Sequence, residues 1–165
     1  MSQPPEQETV AIENEEGFRS HAYWDPIGQV WTVGYGETGP QVGPNTVRTR
    51  QEGVAWLESV ESKLISGLLA AEPWMHELSA PRFGAMVDAA YNLGLNGLED
   101  FHEAFKAMKV QDWPGAVRGF DNSRWYREVP HRVDAISYMV IFSEWLEDYP
   151  DADQLALLAR ALHGG

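Results

Sequence analysis

Apolar residues recur at every third or fourth position along most of this chain, a spacing that places them on one face of a helix. The longest such stretch predicts a helix over residues 50–71, stopped by Pro73 because proline cannot continue a helix. A second stretch, over residues 79–93, is apolar on almost every side, with Ser79 as a suitable N-cap and Pro81 in the first turn. That helix is therefore expected at the centre of a helical lobe.

Shorter apolar stretches predict further helices nearer the two ends of the chain. At the N-terminal end, Thr9 is expected to cap a short helix that turns Ile12 inward and ends at Gly17. At the C-terminal end, Pro150 is expected to break one helix and Asp151 to cap the last one. The remaining predicted helices cover residues 101–108, 113–120, 130–147 and 151–163.

The pattern changes to alternation over residues 22–37, where Tyr, Trp, Val and Thr dominate and a Pro-to-Gly break interrupts them. This favours a β-hairpin. On its second strand one face carries Trp31, Val33 and Tyr35, and the other carries Thr32, Gly34 and Gly36. Glycines on one strand face indicate close approach of a ligand or another backbone; the alternative is that two glycines are tolerated at a twisted edge.

One hairpin and many helices predict an α+β fold that is mostly helical. The chain has 165 residues, of which 44% are hydrophobic. This length and composition are sufficient to form one hydrophobic core, but the chain is too short for two ordinary domains. A single domain is expected. Its parts are a hairpin lobe over 16–46, a connecting helix over 50–71, a helical lobe over 79–147 and an extra helix over 151–163.

Composition narrows the function classes. There is no cysteine, so disulfides, thiolate metal sites and thiol nucleophiles are excluded. The five histidines show no ligand spacing, so neither a metal nor another cofactor is expected. A net charge of −13 argues against a nucleic-acid partner, because phosphate affinity depends on clustered Lys and Arg. Four arginines within residues 118–132 form either a local positive patch or ordinary surface ion pairs.

The first ten residues lack the positive start and apolar run of a signal peptide, and no stretch approaches the roughly 18 apolar residues of a membrane span. We therefore expect a protein made in the cytoplasm, without an integral membrane segment.

Two carboxylates and a hydroxyl mark the candidate chemistry: Glu16, Asp25 and Thr32 surround a helix end and a tight hairpin. Such a set suits glycoside hydrolysis, in which one acid protonates the leaving oxygen while the other carboxylate activates water. Glu15 and Glu16 point about 100° apart on a helix, so only one of them can face the site, and the Glu16-Gly17 pair selects Glu16. In an acidic chain, carboxylates nine residues apart are common, so this spacing alone does not establish catalysis.

Three separated segments add a specific pattern. They contain Glu16-Gly17, Tyr23-Trp24-Asp25, Gly28 and Thr32-Val33-Gly34-Tyr35-Gly36; then Tyr91-Asn92-Leu93-Gly94; then Ser123-Arg124-Trp125-Tyr126 with Pro130 and Arg132. In order and spacing they resemble the phage T4-type lysozymes, glycoside hydrolase family 24, over roughly residues 9–145. The resemblance implies a lysozyme-like fold.

The resemblance also implies roles for the site residues. Glu16 would be the general acid, Asp25 the base that activates or positions water, and Thr32 the residue that holds this water. Arg132 would pair with Glu16, and Asn92 and Arg124 would lie along a sugar-binding cleft. Supporting positions are Tyr91, Gly34, Gly36, Glu37 and Trp125. Trp31, Tyr35 and Trp125 either stack on sugars or pack in the core.

The chain departs from the family pattern in three places. Six residues, Pro26 to Trp31, separate Asp25 from Thr32 where the family usually has five, so a bulge or a longer turn is needed. Glu37 replaces a common histidine, so that position must be braced differently. The helix after Pro150 extends beyond the usual end of the family.

These observations predict a phage endolysin, a monomeric muramidase that cuts the β-1,4 bond between N-acetylmuramic acid and N-acetylglucosamine in peptidoglycan with inversion. It would depend on a holin-type permeabilising protein to leave the host cytoplasm and reach the wall. Two alternatives remain open at this point. One is a lytic transglycosylase, and the other is a catalytically disabled binding or structural module.

Overall fold

The computed structural model describes residues 6–164, except for the side chain of Glu8. The chain divides into two compact units, Met1–Lys63 and Leu64–Gly165. The boundary falls inside the long helix α2, Arg50–Ala71, whose bounds match the periodicity of its apolar residues. A 3₁₀ turn at Pro73–Glu77 follows it.

The first unit begins with helix α1, Glu6–Glu16, which buries Ala11 and Ile12. Thr9 lies inside this helix, so the prediction that it caps the N-terminus is wrong. Its buried hydroxyl instead donates to Glu61 Oε2 at 2.8 Å, a partner 52 residues away that local sequence does not reveal. As predicted, the helix ends at Gly17, which adopts φ +68°.

The hairpin consists of β1, Arg19–Asp25, and β2, Val30–Gly34, which pair antiparallel. Residues 26–29 form the turn, and Gln29 adopts φ +52° there. The register is regular from Asp25↔Val30 to Tyr23↔Thr32 and shifts between Tyr23 and Arg19. β2 therefore has no bulge before Thr32. The extra residue between Asp25 and Thr32 is accommodated by a longer turn, which is one of the two predicted possibilities.

The second strand is shorter than predicted. It ends at Gly34, and Gly36 lies in a tight turn closed by two hydrogen bonds between Val33 and Glu37. Gly34 and Gly36 have φ of +64° and +103°, which side-chain-bearing residues rarely adopt. A Cβ on Gly34 would meet the Gly53 Cα at 3.8 Å, an ordinary contact. At Gly34 the backbone conformation requires glycine and the protein around it does not, while close approach of a ligand stays a prediction.

The second unit is helical. Its central pair is α3, Ala80–Leu93, packed against α8, Pro130–Phe142. The other helices are α4, Leu95–Glu99; α5, His102–Lys109; α6, Trp113–Asp121; α7, Arg124–Glu128; and α9, Ala152–His163. Its core includes Leu68, Met86, Val87, Leu98, Phe105, Phe120, Trp125, Val133, Ile136, Met139, Val140 and Leu158.

The predicted helix over 130–147 ends five residues early, at Phe142, so Pro150 does not break it. Ser143 adopts the left-handed conformation, with φ +55°, and its N–H reaches the Met139 carbonyl. Arg82 then donates to the carbonyls of Val140 and Ile141, at 2.8 and 3.2 Å. An arginine from α3 thus satisfies carbonyl groups that a longer helix would have used.

Two further local features complete the unit. Helix α7 was not predicted, because its five residues are too few for a periodic pattern. Asp151 caps α9 as predicted, and it forms a reciprocal capping box with Gln154.

Within residues 6–164 the structure has nine α-helices and one two-stranded antiparallel sheet, which confirms the mostly helical α+β prediction. None of the helices in that range is long and apolar enough to cross a bilayer.

Candidate active site

The positions of Glu16 and Asp25 are fixed by the ends of a helix and a strand in the first unit. Glu16 is the last residue of α1 and is exposed, and Gly17 then turns the chain into β1. Asp25 is the last residue of β1 and is half-buried. The nine-residue spacing of the two carboxylates therefore corresponds to one short strand and the turn before it.

The hairpin turn holds the Asp25 carboxylate in place. Its Oδ1 accepts a hydrogen bond from the Ile27 backbone N–H at 2.9 Å, an interaction in which aspartate stabilises its own turn. A Cβ on Gly28 would lie only 2.9 Å from Asp25 Oδ2. Glycine at position 28 therefore leaves room for the second oxygen, while the hydrogen bond from Ile27 constrains the first.

Asp25 and Thr32 lie on the same face of the hairpin. Tyr23 pairs with Thr32 and Asp25 with Val30, so these four side chains share one face, since cross-strand partners point the same way. Trp24 pairs with Trp31 on the other face, where their rings meet edge-on at 5.6 Å. Asp25 and Thr32 are diagonal neighbours, a relation that places residues about 7–8 Å apart.

Thr32 is buried yet unsatisfied. The residue is 6% exposed, and its Oγ1 has no hydrogen-bond partner in the part of the chain that the structure describes. A buried hydroxyl without a partner destabilises a fold by about 1–3 kcal/mol, so such groups call for an explanation. At this position, beside a constrained carboxylate, a bound water is the group that such a hydroxyl suits.

Glu37, at the position where histidine is common, is braced by an ion pair. Arg48 donates from Nε to Oε2 at 2.9 Å and from Nη2 to Oε1 at 3.1 Å, and Gln41 Nε2 donates to Oε1 at 3.3 Å. The hydrogen bond to Glu37 raises the pKa of Arg48 further. Glu37 is buried and closes the turn after β2, so its contacts are those of a supporting residue.

In the second unit, Arg132 is buried and bound to a residue that sequence reasoning missed. Its Nε and Nη2 both donate to Asp88 Oδ1 on α3, and its guanidinium lies 5.8 Å from the Tyr91 ring centroid. The signal that points to Asp88 is an acidic residue in the middle of a mostly apolar helix, because buried charges require partners. The predicted pairing of Arg132 with Glu16 stays a prediction.

Asn92 and Trp125 also meet in the second unit. The indole Nε1 of Trp125 donates to Asn92 Oδ1 at 2.6 Å. Trp125 is buried against Phe101 and Phe120, and Tyr35 in the first unit is 2% exposed. Of the two alternatives for Tyr35 and Trp125, sugar stacking and core packing, the structure therefore shows core packing.

Arg124 is exposed and pairs with Glu128 at 2.6 Å, four residues along α7. This is the surface ion pair that the sequence left as one alternative for the arginine cluster. The predicted site residues thus fall into two groups. The first unit holds Glu16, Asp25, Thr32, Gly34, Gly36 and Glu37, and the second holds Tyr91, Asn92, Arg124, Trp125 and Arg132.

The amino-acid sequence is similar to a known protein family and to several phage proteins. The chain matches the Phage lysozyme family over residues 13–136. It is 26% identical over 121 residues to the peptidoglycan hydrolase gp36 of Pseudomonas phage phiKMV, covering 73% of this chain and 13% of that protein. It is 32% identical over 106 residues to the SAR-endolysin of Escherichia phage P1, covering 61% and 52%.

A third relative is the pre-baseplate central spike protein Gp5 of Enterobacteria phage T4, 24% identical over 163 residues, covering 84% of this chain and 28% of Gp5. The chain therefore spans about half or less of the length of the curated relatives that it matches.

Proposed function

Because the chain belongs to the phage lysozyme family, as the sequence resemblance indicated, we propose that it hydrolyses bacterial peptidoglycan as an endolysin. Two relatives support this proposal, one named a peptidoglycan hydrolase and the other an endolysin. The bond that we assign is the β-1,4 linkage between N-acetylmuramic acid and N-acetylglucosamine, which makes the protein a muramidase.

The observation that carries the proposal is the unsatisfied hydroxyl of Thr32 on the same hairpin face as Asp25. Thr32 holds a water, and Asp25 takes a proton from it as it attacks the sugar carbon. Glu16 gives its proton to the leaving oxygen, as general acid. The products are a reducing muramic acid end and a free hydroxyl on the departing sugar.

Inversion is the proposed stereochemical course. It requires the two carboxyl groups to lie about 6.5–9.5 Å apart, with room for a water between them. The constrained Asp25 carboxylate suits this role, because a base that activates water must keep its geometry while the sugar changes shape. A carboxylate acting as nucleophile would instead have to approach the sugar carbon itself.

The second unit supplies the supporting groups in this proposal. Asp88 fixes the orientation of the Arg132 guanidinium through two hydrogen bonds, and the pairing of Arg132 with Glu16 stays a prediction. Asn92 and Arg124 contact the glycan. The monomeric state and the dependence on a holin-type protein remain predictions.

Wall clearing by Glu16→Gln tests the proposal most directly. Glutamine keeps the size of the side chain but has no acidic proton to transfer to the leaving oxygen, so we expect turbidity clearing of isolated walls to fall about 100-fold or more. Glu15→Gln is the matched control, since it removes the neighbouring carboxylate of the same helix and should clear walls at the wild-type rate. Equal clearing by Glu16→Gln and wild type would refute the assignment.

The products separate the proposed reaction from the alternatives. Hydrolysis gives reducing muramic acid ends, and the first-formed anomer, read by NMR, is inverted. An anhydro-muramic product would instead establish a lytic transglycosylase. Binding of glycan without any product would establish a non-catalytic module.

A further inference from the structure

A pocket of about 400 Å³ lies in the second unit, and none of the predicted site residues lines it. Elements from the 3₁₀ turn, the start of α3, the end of α5 and the start of α6 form it. Its lining residues include Trp74, Ser79, Arg82, Lys109, Trp113 and Glu77. The volume is that of a site for one small molecule, and the mixture of indoles and charged groups is typical of such sites.

Arg82 is fixed in the pocket wall without a counter-charge. It uses two of its five N–H donors on the Val140 and Ile141 carbonyls, and its guanidinium carbon lies 3.8 Å from the Trp113 ring centroid. It forms no ion pair within the described residues, although the chain carries a net charge of −13. Burial lowers the pKa of Arg82, which is the effect of desolvation without a neighbouring carboxylate.

Lys109 supplies a second cation on the opposite indole. Its Nζ lies 5.5 Å from the Trp74 ring centroid, and its charge also acts on Glu99, where it partly opposes the rise in pKa that burial causes. The Trp74 Nε1 donates to Glu72, which orients the ring. The two indoles therefore each carry one cation, and both pairs line the same pocket.

The backbone adds to the positive side of the pocket. Ser79, the N-cap of α3, makes no side-chain bond to the first turn, because its hydroxyl pairs with Ser143 Oγ at 2.5 Å. The N-terminal end of this 14-residue helix carries a partial positive charge. Glu77 is the one carboxylate among the described lining residues, and it is exposed. The lining itself thus carries two cations and one carboxylate, with Glu72 bonded to the Trp74 indole and Glu99 within electrostatic reach of Lys109.

We propose that this pocket binds a carboxylate carried by a small, partly apolar ligand. Arg82 and Lys109 hold the carboxylate, and the indoles of Trp74 and Trp113 contact the apolar body. In the substrate of the proposed function, two groups have this chemistry: the lactyl carboxylate of a muramic acid without its peptide, and the C-terminal carboxylate of a stem peptide. Only this choice of source rests on the proposed function.

Titration of the indole N–H signals by NMR tests the proposal and separates the two sources. The signals of Trp74 and Trp113 are assigned with Trp74→Phe and Trp113→Phe. One arm compares N-acetylmuramic acid with N-acetylglucosamine, and the other compares N-acetyl-D-alanyl-D-alanine with its C-terminal amide. We expect both indole signals to shift with at least one of the two acids, with a Kd on the order of 1 mM, and not with the matching neutral compound.

Lys109→Gln should raise that Kd about tenfold, because it removes one charge-assisted contact from an exposed position where folding is not at risk. Lys106→Gln is the matched control: it lies on the same helix, pairs with Glu103 and does not line the pocket. Equal shifts with acid and neutral ligand, an unchanged Kd in Lys109→Gln, or no shift up to about 20 mM would each overturn the proposal. None of these readouts depends on wall lysis, so failure of the catalytic assignment leaves them interpretable.

Discussion

Arg132 donates from both Nε and Nη2 to a single carboxylate oxygen of Asp88, at 2.9 and 2.7 Å, and both side chains are buried. Because α3 carries Asp88 and α8 carries Arg132, this ion pair joins the two central helices of the second unit.

Replacing Asp88 by asparagine should destabilise the protein by about 3 kcal/mol or more, because it removes the buried carboxylate to which a buried guanidinium donates two hydrogen bonds. Urea unfolding followed by circular dichroism measures the change. Glu128→Gln breaks the exposed ion pair with Arg124 and should change the free energy of unfolding by less than about 1 kcal/mol. A similar small effect for both variants would contradict the role given to Asp88.

Thr32→Val should lower the rate of wall clearing by about 10- to 100-fold while leaving stability unchanged or slightly higher. Valine has the same shape as threonine, and its introduction breaks no hydrogen bond within the described protein. Turbidity clearing and thermal unfolding give the two readouts.

Ser137→Ala is the control for Thr32→Val. Ser137 is also fully buried, and its hydroxyl also lacks a partner among the described residues, but it lies on α8. Its removal should leave the rate unchanged. If Thr32→Val clears walls as fast as Ser137→Ala, the hydroxyl does not hold the attacking water.

Stability should fall as the pH rises through the range in which Asp121 ionises. Burial, and then the nearby charge of Asp134, raise its pKa from 3.8 to about 6, while His163 opposes the shift. Since the folded-state pKa lies above the unfolded value, the protonated form favours folding. That contribution is complete below about pH 3.8 and is lost as the pH rises through 6.

Asp121→Asn should therefore raise the free energy of unfolding at pH 8 by about 1–2 kcal/mol, a value that allows for screening at a half-buried group, and change it little at pH 3.5. Denaturant unfolding at the two pH values measures this. Asp100→Asn, at an exposed position, should show no such difference between pH values. A stabilisation of Asp121→Asn that is equal at both pH values would argue against ionisation as its cause.

Gly34→Ala should destabilise the hairpin by about 1–2 kcal/mol, because alanine is strained at φ +64° even though space is available. Gly43→Ala is the control. A Cβ added there would have no atom within 4 Å, and Gly43 has no positive φ, so the effect should stay within about 0.5 kcal/mol. Thermal unfolding distinguishes the two. Equal effects would show that the left-handed conformation is not what requires glycine at position 34.

Helices whose bounds depend on interactions between residues close together in the chain were predictable from the sequence. The periodicity over Arg50–Ala71 lies within one helix, and the Asp151–Gln154 capping box uses residues three apart. The end of α8 was not predictable, because it depends on Arg82, which lies 58 residues from the Val140 carbonyl that it contacts. Thr9 was misread for the same reason, since its partner Glu61 is distant in sequence.

The candidate site shows the same division. The family resemblance rests on the order of three sequence segments, and the match over residues 13–136 confirms it. The buried state of the Thr32 hydroxyl and the Asp88 partner of Arg132 required the folded chain, because both depend on what packs around a side chain. That Thr32 holds the attacking water and that Arg132 supports the acid remain predictions.

The hydrogen bond from Trp125 to Asn92 also decides which end of the Asn92 amide is available to other molecules. Indole is a donor only, so the oxygen of the amide must face it. The NH₂ group is then the end turned away from the indole, so Asn92 presents two N–H donors there, while its oxygen keeps one further lone pair. In the proposed function, an acetamido carbonyl of the substrate is a group that these donors suit. A tryptophan in the core thereby sets the hydrogen-bonding polarity of an exposed position.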